Sequence, residues 1–159
     1  MRTLIFGYGN LDRQDDGVAW HILVALRRFL ALSDPDTIDD EILIRSDLST
    51  VFQLQLTPEL AEELTAFDRV CFIDAHTGAV PEEIHIEKIS PTFQHSPLTH
   101  HLTPQSLLSI MQSLYKKEPD ALLISVRGYE FEFSQSLSSR TSRLVPEAVE
   151  KILIWLKSF

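Results

Sequence analysis

Short apolar runs alternate with longer amphipathic stretches along the whole chain. Residues 3–6, 70–73 and 121–126 are rich in Val, Ile, Leu and Phe with few interior charges, as in strands covered on both faces of a parallel sheet. Residues 41–44 predict a further short strand. Residues 83–87 alternate apolar and polar side chains, which indicates an exposed edge strand. The pattern therefore predicts a sheet of about five strands.

Helical spacing of apolar residues fills the intervals between these runs. The predicted inward faces are Val18, Ile22, Leu26 and Phe29 in a first helix, Leu107, Met111 and Leu114 in a third, and Val145, Val149, Ile152 and Leu156 in a last one. Thr57-Pro58 and Thr103-Pro104 each place a hydroxyl N-cap before a proline, which predicts two helix starts. We expect residues 1–159 to form one three-layer α/β/α domain, whose open, mostly parallel twisted sheet has one antiparallel edge strand.

Composition and net charge limit the kinds of molecule that we expect as binding partners. The chain has 159 residues, 44% of them hydrophobic, which is enough for an ordinary core, and a formal net charge of −9. This charge opposes polyanions, so we expect neither nucleic acid nor a membrane surface as a partner. No apolar run reaches the roughly 18 residues of a membrane span. The lone Cys71 lies in an apolar strand, where it is predicted to be buried, and the absence of a second cysteine favours a cytoplasmic location.

The few glycines indicate where a ligand would bind. Each follows a predicted strand or begins a helix: Gly7, Gly9, Gly17, Gly78 and Gly128. Those positions share the carboxyl edge of the sheet, where the loops of open α/β folds converge on their ligands. We therefore predict the functional site at this edge.

The segment GYGNLDRQDDG, residues 7–17, is the first candidate for a functional loop. It fails as a dinucleotide-binding fingerprint because Asp12 replaces the third glycine, and Asp15 and Asp16 at the helix start would repel a phosphate. A single carboxylate there is an ordinary helix cap or supporting residue, a role that suits Asp15. A second carboxylate, Asp16, favours a cation.

Further candidate ligands follow two other predicted elements. Asp74 ends a strand in FIDAHTG, with His76 two residues later, and His100-His101 precede the third helix. Two carboxylates and an imidazole that converge at one edge are a plausible set for zinc or nickel with open coordination positions. A lone histidine in a loop is usually just solvated or hydrogen-bonded, so the spacing alone leaves both a metal site and an ordinary loop open.

Other catalytic arrangements lack support. There is no GxSxG motif, and Cys71 lies within a strand, so neither a serine nor a thiol nucleophile is indicated. Glu130 and Glu132 alternate with aromatic residues in RGYEFEF, which we expect to extend the fold along the rim of the site.

The chain resembles the hydrogenase maturation endopeptidases over nearly its whole length. Their opening pattern, a strand, G-x-G-N, an acidic pair and a glycine that begins the first helix, matches Gly7-Tyr8-Gly9-Asn10 and Asp15-Asp16-Gly17. The second acidic ligand of the family, in a D-A context, matches Asp74-Ala75, and its histidine matches His100, with His101 as the adjacent alternative. The family's G-T-x-G loop is replaced by Leu48-Ser49-Thr50-Val51.

The resemblance implies a cytoplasmic, aspartyl-type endopeptidase. Its substrate would be the large-subunit precursor of a nickel–iron hydrogenase, from which it would remove the C-terminal extension after nickel insertion. Asp16, Asp74 and His100 would contact nickel that belongs to the precursor, so no resident or organic cofactor is implied. The alternatives are a non-catalytic, chaperone-like module that binds a metalloenzyme precursor without cutting it, and a small-molecule hydrolase or nucleotide-binding enzyme on the same fold.

Overall fold

The structure of the chain is a computed structural model that describes residues 1–30, 42–45, 47–92 and 102–158. Its strands are β1 (Thr3–Tyr8), β2 (Ile42–Arg45), β3 (Leu48–Gln53), β4 (Arg69–His76), β5 (Ile84–Ile89) and β6 (Asp120–Arg127). They form one sheet in the order β2-β3-β1-β4-β6-β5. The four central strands are parallel, and β2 and β5 run antiparallel to their neighbours at the two edges. The predicted fold class is confirmed.

The sheet differs from the prediction in one strand. β3 was not predicted, and it overlaps the stretch that stands where the family has its G-T-x-G loop. Ser49 and Thr50 interrupt the apolar pattern of β3, yet both side chains are buried. Because β3 separates β2 from β1, the strand at residues 42–45 becomes a second antiparallel edge.

Helices cover both faces of the sheet. They are α1 (Val18–Phe29), α2 (Leu60–Leu64), α3 (Pro104–Tyr115), α4 (Ser139–Ser142) and α5 (Val145–Leu156). α1 and α5 pack in one apolar cluster with alternate residues of β1 and β4, such as Ile5 and Cys71. α2 and α3 pack in the second cluster with the intervening residues, such as Phe6 and Phe72. No described helix has the length and hydrophobicity needed to cross a membrane.

One predicted helix start is confirmed, the other is displaced, and two residues predicted on inward faces are exposed. Thr103 caps α3 as predicted, since its hydroxyl accepts a hydrogen bond from the Ser106 N–H at 3.1 Å. The other start is displaced, because α2 begins at Leu60 after a turn in which the Leu60 N–H donates to the Thr57 carbonyl. Phe29 and Leu114 were wrongly placed on inward faces: both are 68% exposed and lie in the last turn of α1 and α3.

Candidate functional site

Three neighbouring strands present a row of polar side chains at the carboxyl edge. On the face toward α2 and α3, Phe6, Phe72 and Leu123 form a buried apolar row in register across β1, β4 and β6. Two residues further along the same strands stand Tyr8, Asp74 and Ser125. Since side chains two apart in a strand share a face, the apolar core gives way to this polar row.

The Asp74 carboxylate is held by both of its neighbours in this row. The Tyr8 hydroxyl donates to Asp74 Oδ2 at 2.7 Å, and the Ser125 hydroxyl donates to Oδ1. Burial raises the pKa of Asp74, although hydrogen bonds from Ser125 and Tyr8 act in the opposite direction. Burial and the charge of Asp74 raise the pKa of Tyr8, so its hydroxyl keeps its proton and acts as a donor.

Asp16 reaches the same edge from the loop after β1. The Asn10 N–H donates to Asp16 Oδ2 at 2.7 Å, which fixes the direction of this half-buried carboxylate. Gly9 has φ +148°, and a Cβ there would lie 2.0 Å from the Asp16 carbonyl oxygen, so the turn requires glycine. The negative charge of Asp16 also acts to raise the pKa of Asp74, although burial is the main cause.

Asp15 points the other way, into the protein. It is 0% exposed, and its carboxylate accepts hydrogen bonds from the backbone of Tyr129, Glu130 and Ser138 and from the hydroxyls of Ser138 and Thr141. Burial acts to raise the pKa of Asp15, but these hydrogen bonds, from Ser138 above all, outweigh it and lower the pKa. No side-chain hydrogen bond caps α1. Asp15 is therefore a support that joins the loop after β1 to the segment after β6.

The segment after β6 packs against the loop after β1. The Ser134 N–H donates to the Asp12 carbonyl at 3.0 Å, and the Gln135 side chain donates to the Asp12 carboxylate at 2.8 Å. Gln14, at φ 52°, donates its N–H to the Ser134 carbonyl. Asp12 thus has a structural partner in a segment more than a hundred residues later. Phe131 from this segment lines the site, as expected for a rim.

An open cleft of about 750 Å³ lies beside Asp16, and it is also lined by Tyr8, whose hydroxyl donates to Asp74. Tyr8, Gly9 and Asp16 form one wall, together with Asn10 and Arg13. The remaining walls come from residues 54–56 after β3 and from Thr77, Leu102 and Phe131. The size falls within the range of roughly 300–1,000 Å³ that is common for ligand sites. A peptide segment could therefore lie beside Asp16.

The predicted histidines have different outcomes. His100 and His101 lie outside the described residues, and the described chain resumes at Leu102, which lines the cleft. His76 Nδ1 accepts the Gly78 N–H at 3.1 Å, so Nε2 carries the proton and donates to the Glu82 carbonyl at 2.9 Å. With both ring nitrogens engaged, His76 does not serve as a ligand in this conformation. Within the described ranges no group of three metal-ligating side chains occurs.

Tyr8 and Ser125 are the site residues that the sequence analysis missed. The available signal is the two-residue step from a buried apolar residue to a polar one, which occurs in F-x-Y on β1, F-x-D on β4 and L-x-S on β6. That signal becomes informative only once β1 and β6 are known to flank β4.

Comparison with solved structures shows the fold. The hydrogenase maturating endopeptidase HybD from E. coli superposes with a TM-score of 0.72 at 17% identity, covering 99% of this chain and 93% of that chain. The [NiFe] hydrogenase maturation protease HycI from Thermococcus kodakarensis KOD1 gives a TM-score of 0.68 at 20% identity, with coverage of 99% and 93%. No protein-family model and no curated protein sequence matches the chain. This chain has the fold of hydrogenase maturation endopeptidases.

Proposed function

We propose that this chain is an endopeptidase that removes the C-terminal extension of a nickel–iron hydrogenase large-subunit precursor after nickel insertion. Asp16, Asp74 and His100 would bind the nickel of the precursor, with His101 as the alternative to His100. The observation that carries the proposal is the position of Asp16 at an open cleft that is also lined by Tyr8, whose hydroxyl donates to the second carboxylate, Asp74. The fold shared with HybD and HycI supports it.

The electrostatics of the carboxylate pair suit a cation brought by the substrate. Asp16 and Asp74 repel each other when both are ionised, and burial already disfavours the charge on Asp74. A nickel ion between them would offset both effects, while the rest of its coordination would be supplied by a histidine and by the precursor. Recognition would then depend on nickel, so that an unloaded precursor would bind poorly and stay uncut.

The same residues support either way of activating water. In an aspartyl-type reaction, one ionised carboxylate accepts a proton from water while a partner with a raised pKa donates one to the leaving amine. Asp74 has the raised pKa, and Asp16 Oδ1 accepts no hydrogen bond from the described residues. The alternative is polarisation of the scissile carbonyl by the nickel of the substrate. In both cases Asp16 and Asp74 must keep their carboxylates.

Cleavage of purified precursor tests the proposal directly. Wild-type protein should shorten a nickel-loaded precursor and leave a nickel-free one intact, as followed by mass spectrometry. Asp16→Asn and Asp74→Asn should abolish the cut, whereas Asp12→Asn, an equal change at an exposed carboxylate of the same loop, should preserve it.

Parallel alanine variants of His100 and His101 identify the histidine ligand, because only one of them should abolish cleavage. Equal cleavage by wild type and Asp16→Asn would show that the assigned roles are wrong. A stable complex with no shortened product would instead indicate the non-catalytic binding module.

A further inference from the structure

The Asp74 carboxylate is clamped by hydroxyls on two different strands. We propose that Tyr8 and Ser125 are positioning residues that fix this carboxylate in the orientation in which it binds a divalent cation. The inference rests on the proposed function for the identity of the cation as nickel. It assigns a task to two residues that lie outside the three proposed ligands.

The backbone places the three side chains independently of any ligand. Asp74 pairs with Ser125 in the parallel register of β4 and β6, and Gly7 pairs with Ile73, which brings the next residue of β1, Tyr8, beside Asp74. The three strands lie in the central part of the sheet, where β4 is hydrogen-bonded to β1 on one side and to β6 on the other. Their spacing therefore holds both hydroxyls on opposite sides of one carboxylate.

The tyrosine ring is itself held by the core. Its centroid lies 6.4 Å from that of Phe6, which in turn lies 6.1 Å from the Phe72 ring, and both phenylalanines are buried. A ring with two rotatable bonds that is packed at its base has little freedom to move its hydroxyl. Ser125 is only 8% exposed, so its hydroxyl is equally confined.

Two donors leave Asp74 able to bind a cation. A carboxylate has about four lone-pair directions, and one hydroxyl on each oxygen occupies two of them. Without those donors the carboxylate would rotate about its side-chain bonds and would lose that freedom on binding. Hydrogen-bonded supports of this kind typically change metal affinity by about 10–100-fold when they are removed.

A purely structural role would give a different pattern of effects. Under that interpretation the hydroxyls would only satisfy a half-buried carboxylate, and their removal would change the stability of the fold while leaving cation affinity unaltered. A matched control is available in Tyr129, whose hydroxyl also donates to a carboxylate, at 2.6 Å, but to that of Glu83 and not to that of Asp74. Tyr129→Phe therefore makes the same chemical change at another place.

Calorimetric titration of Ni²⁺ into the purified chain, with no precursor present, tests the inference. Tyr8→Phe and Ser125→Ala should each raise the Kd for Ni²⁺ by about 10-fold or more, Ser125→Thr should restore it, and Tyr129→Phe should match wild type. Thermal unfolding of each variant confirms that the fold is intact. The inference is overturned if wild type binds no Ni²⁺, or if Tyr8→Phe and Ser125→Ala bind it as tightly as Tyr129→Phe does.

The outcome is separable from that of the proposed function. If the predicted order of Ni²⁺ affinities is found while no precursor is cut, the positioning role stands and the protease assignment fails. If wild type cuts the precursor and the hydroxyl variants retain wild-type Kd and wild-type KM, the protease assignment stands and the positioning role fails.

Discussion

Replacing Asp15 by asparagine should destabilise the fold much more than the same change at Asp12. Asp15 Oδ2 accepts four hydrogen bonds at 2.6–2.9 Å, and Oδ1 accepts the Ser138 N–H at 2.8 Å. An asparagine can place its oxygen on the crowded side, but its NH₂ group then faces the Ser138 N–H. A buried donor is left without an acceptor, and the four remaining hydrogen bonds lose the charge on their acceptor.

The expected loss of stability in Asp15→Asn follows from the unsatisfied Ser138 N–H and from the lost charge on the acceptor. An unsatisfied buried donor costs about 1–3 kcal/mol, and hydrogen bonds to a charged group contribute about 1.5–3 kcal/mol where neutral ones contribute about 1. Because hydrogen bonds to one shared acceptor are not additive, we expect a loss near the low end of their sum, about 3–5 kcal/mol, comparable to breaking a buried ion pair. For a chain of this size each kcal/mol lowers the unfolding midpoint by about 2–4 °C, so the decrease should be roughly 6–20 °C. The exposed Asp12→Asn should change stability by at most about 0.5 kcal/mol.

Urea unfolding of wild type, Asp15→Asn and Asp12→Asn at about pH 7 and about pH 3 provides the assay. The pKa of Asp15 is lowered on folding, since the hydrogen bonds outweigh the effect of burial. Its stabilisation is therefore fully present above the ordinary value of 3.8 and is lost as the pH falls through the lowered value. The gap between wild type and Asp15→Asn should shrink at the acidic pH. Equal midpoints for the two variants at neutral pH, or a gap that widens in acid, would refute the reasoning.

Three further substitutions have defined outcomes. Asp74→Asn should abolish precursor cleavage while leaving the unfolding midpoint at neutral pH unchanged or higher, because burial raises the pKa of Asp74 and its ionised form is unfavourable in the folded state. Melting curves should show this gain vanishing below about pH 4, where the carboxyl is protonated in both states. Gly9→Ala should reduce stability by about 1–3 kcal/mol in chemical denaturation and remove activity, since its Cβ would meet the Asp16 carbonyl at 2.0 Å. Thr103→Ala should cost about 1 kcal/mol through loss of the cap on α3, and Thr103→Ser should restore it in the same measurement.

The fold could be predicted because its central strands are covered on both faces. Residues buried on both sides must be apolar throughout, and β1, β4 and β6 show that pattern in the sequence. β3 escaped prediction because Ser49 and Thr50, although buried, look like surface residues in a pattern based on hydrophobicity. The prediction of inward-facing residues was wrong in the last turns of α1 and α3, where apolar residues are exposed. There the apolar spacing continues beyond the part of each helix that packs on the sheet.

The site could be predicted only as far as a general rule of topology extends. Loops after parallel strands share one edge, which was enough to predict Asp16 and Asp74 at the same edge of the sheet. The partners of Asp74 depend on which strands flank β4, and that order joins residues more than a hundred positions apart, as Tyr8 and Ser125 are. No local pattern in the sequence encodes such a neighbourhood.

The backbone of the loop after β1 directs the two adjacent carboxylates, Asp15 and Asp16, to different sides. Asp15 and Asp16 occupy a short 3-10 turn, Gln14–Gly17, whose tight winding points consecutive side chains in different directions. The segment that follows β6 therefore holds the Asp15 side chain inside the protein. Asp16 lines the cleft, and its backbone belongs to the same turn. Because one peptide unit links them, the anchoring of Asp15 also limits the movement of Asp16. We therefore expect the direction of Asp16 to be set before any cation arrives, so that binding requires little reorganisation of this loop.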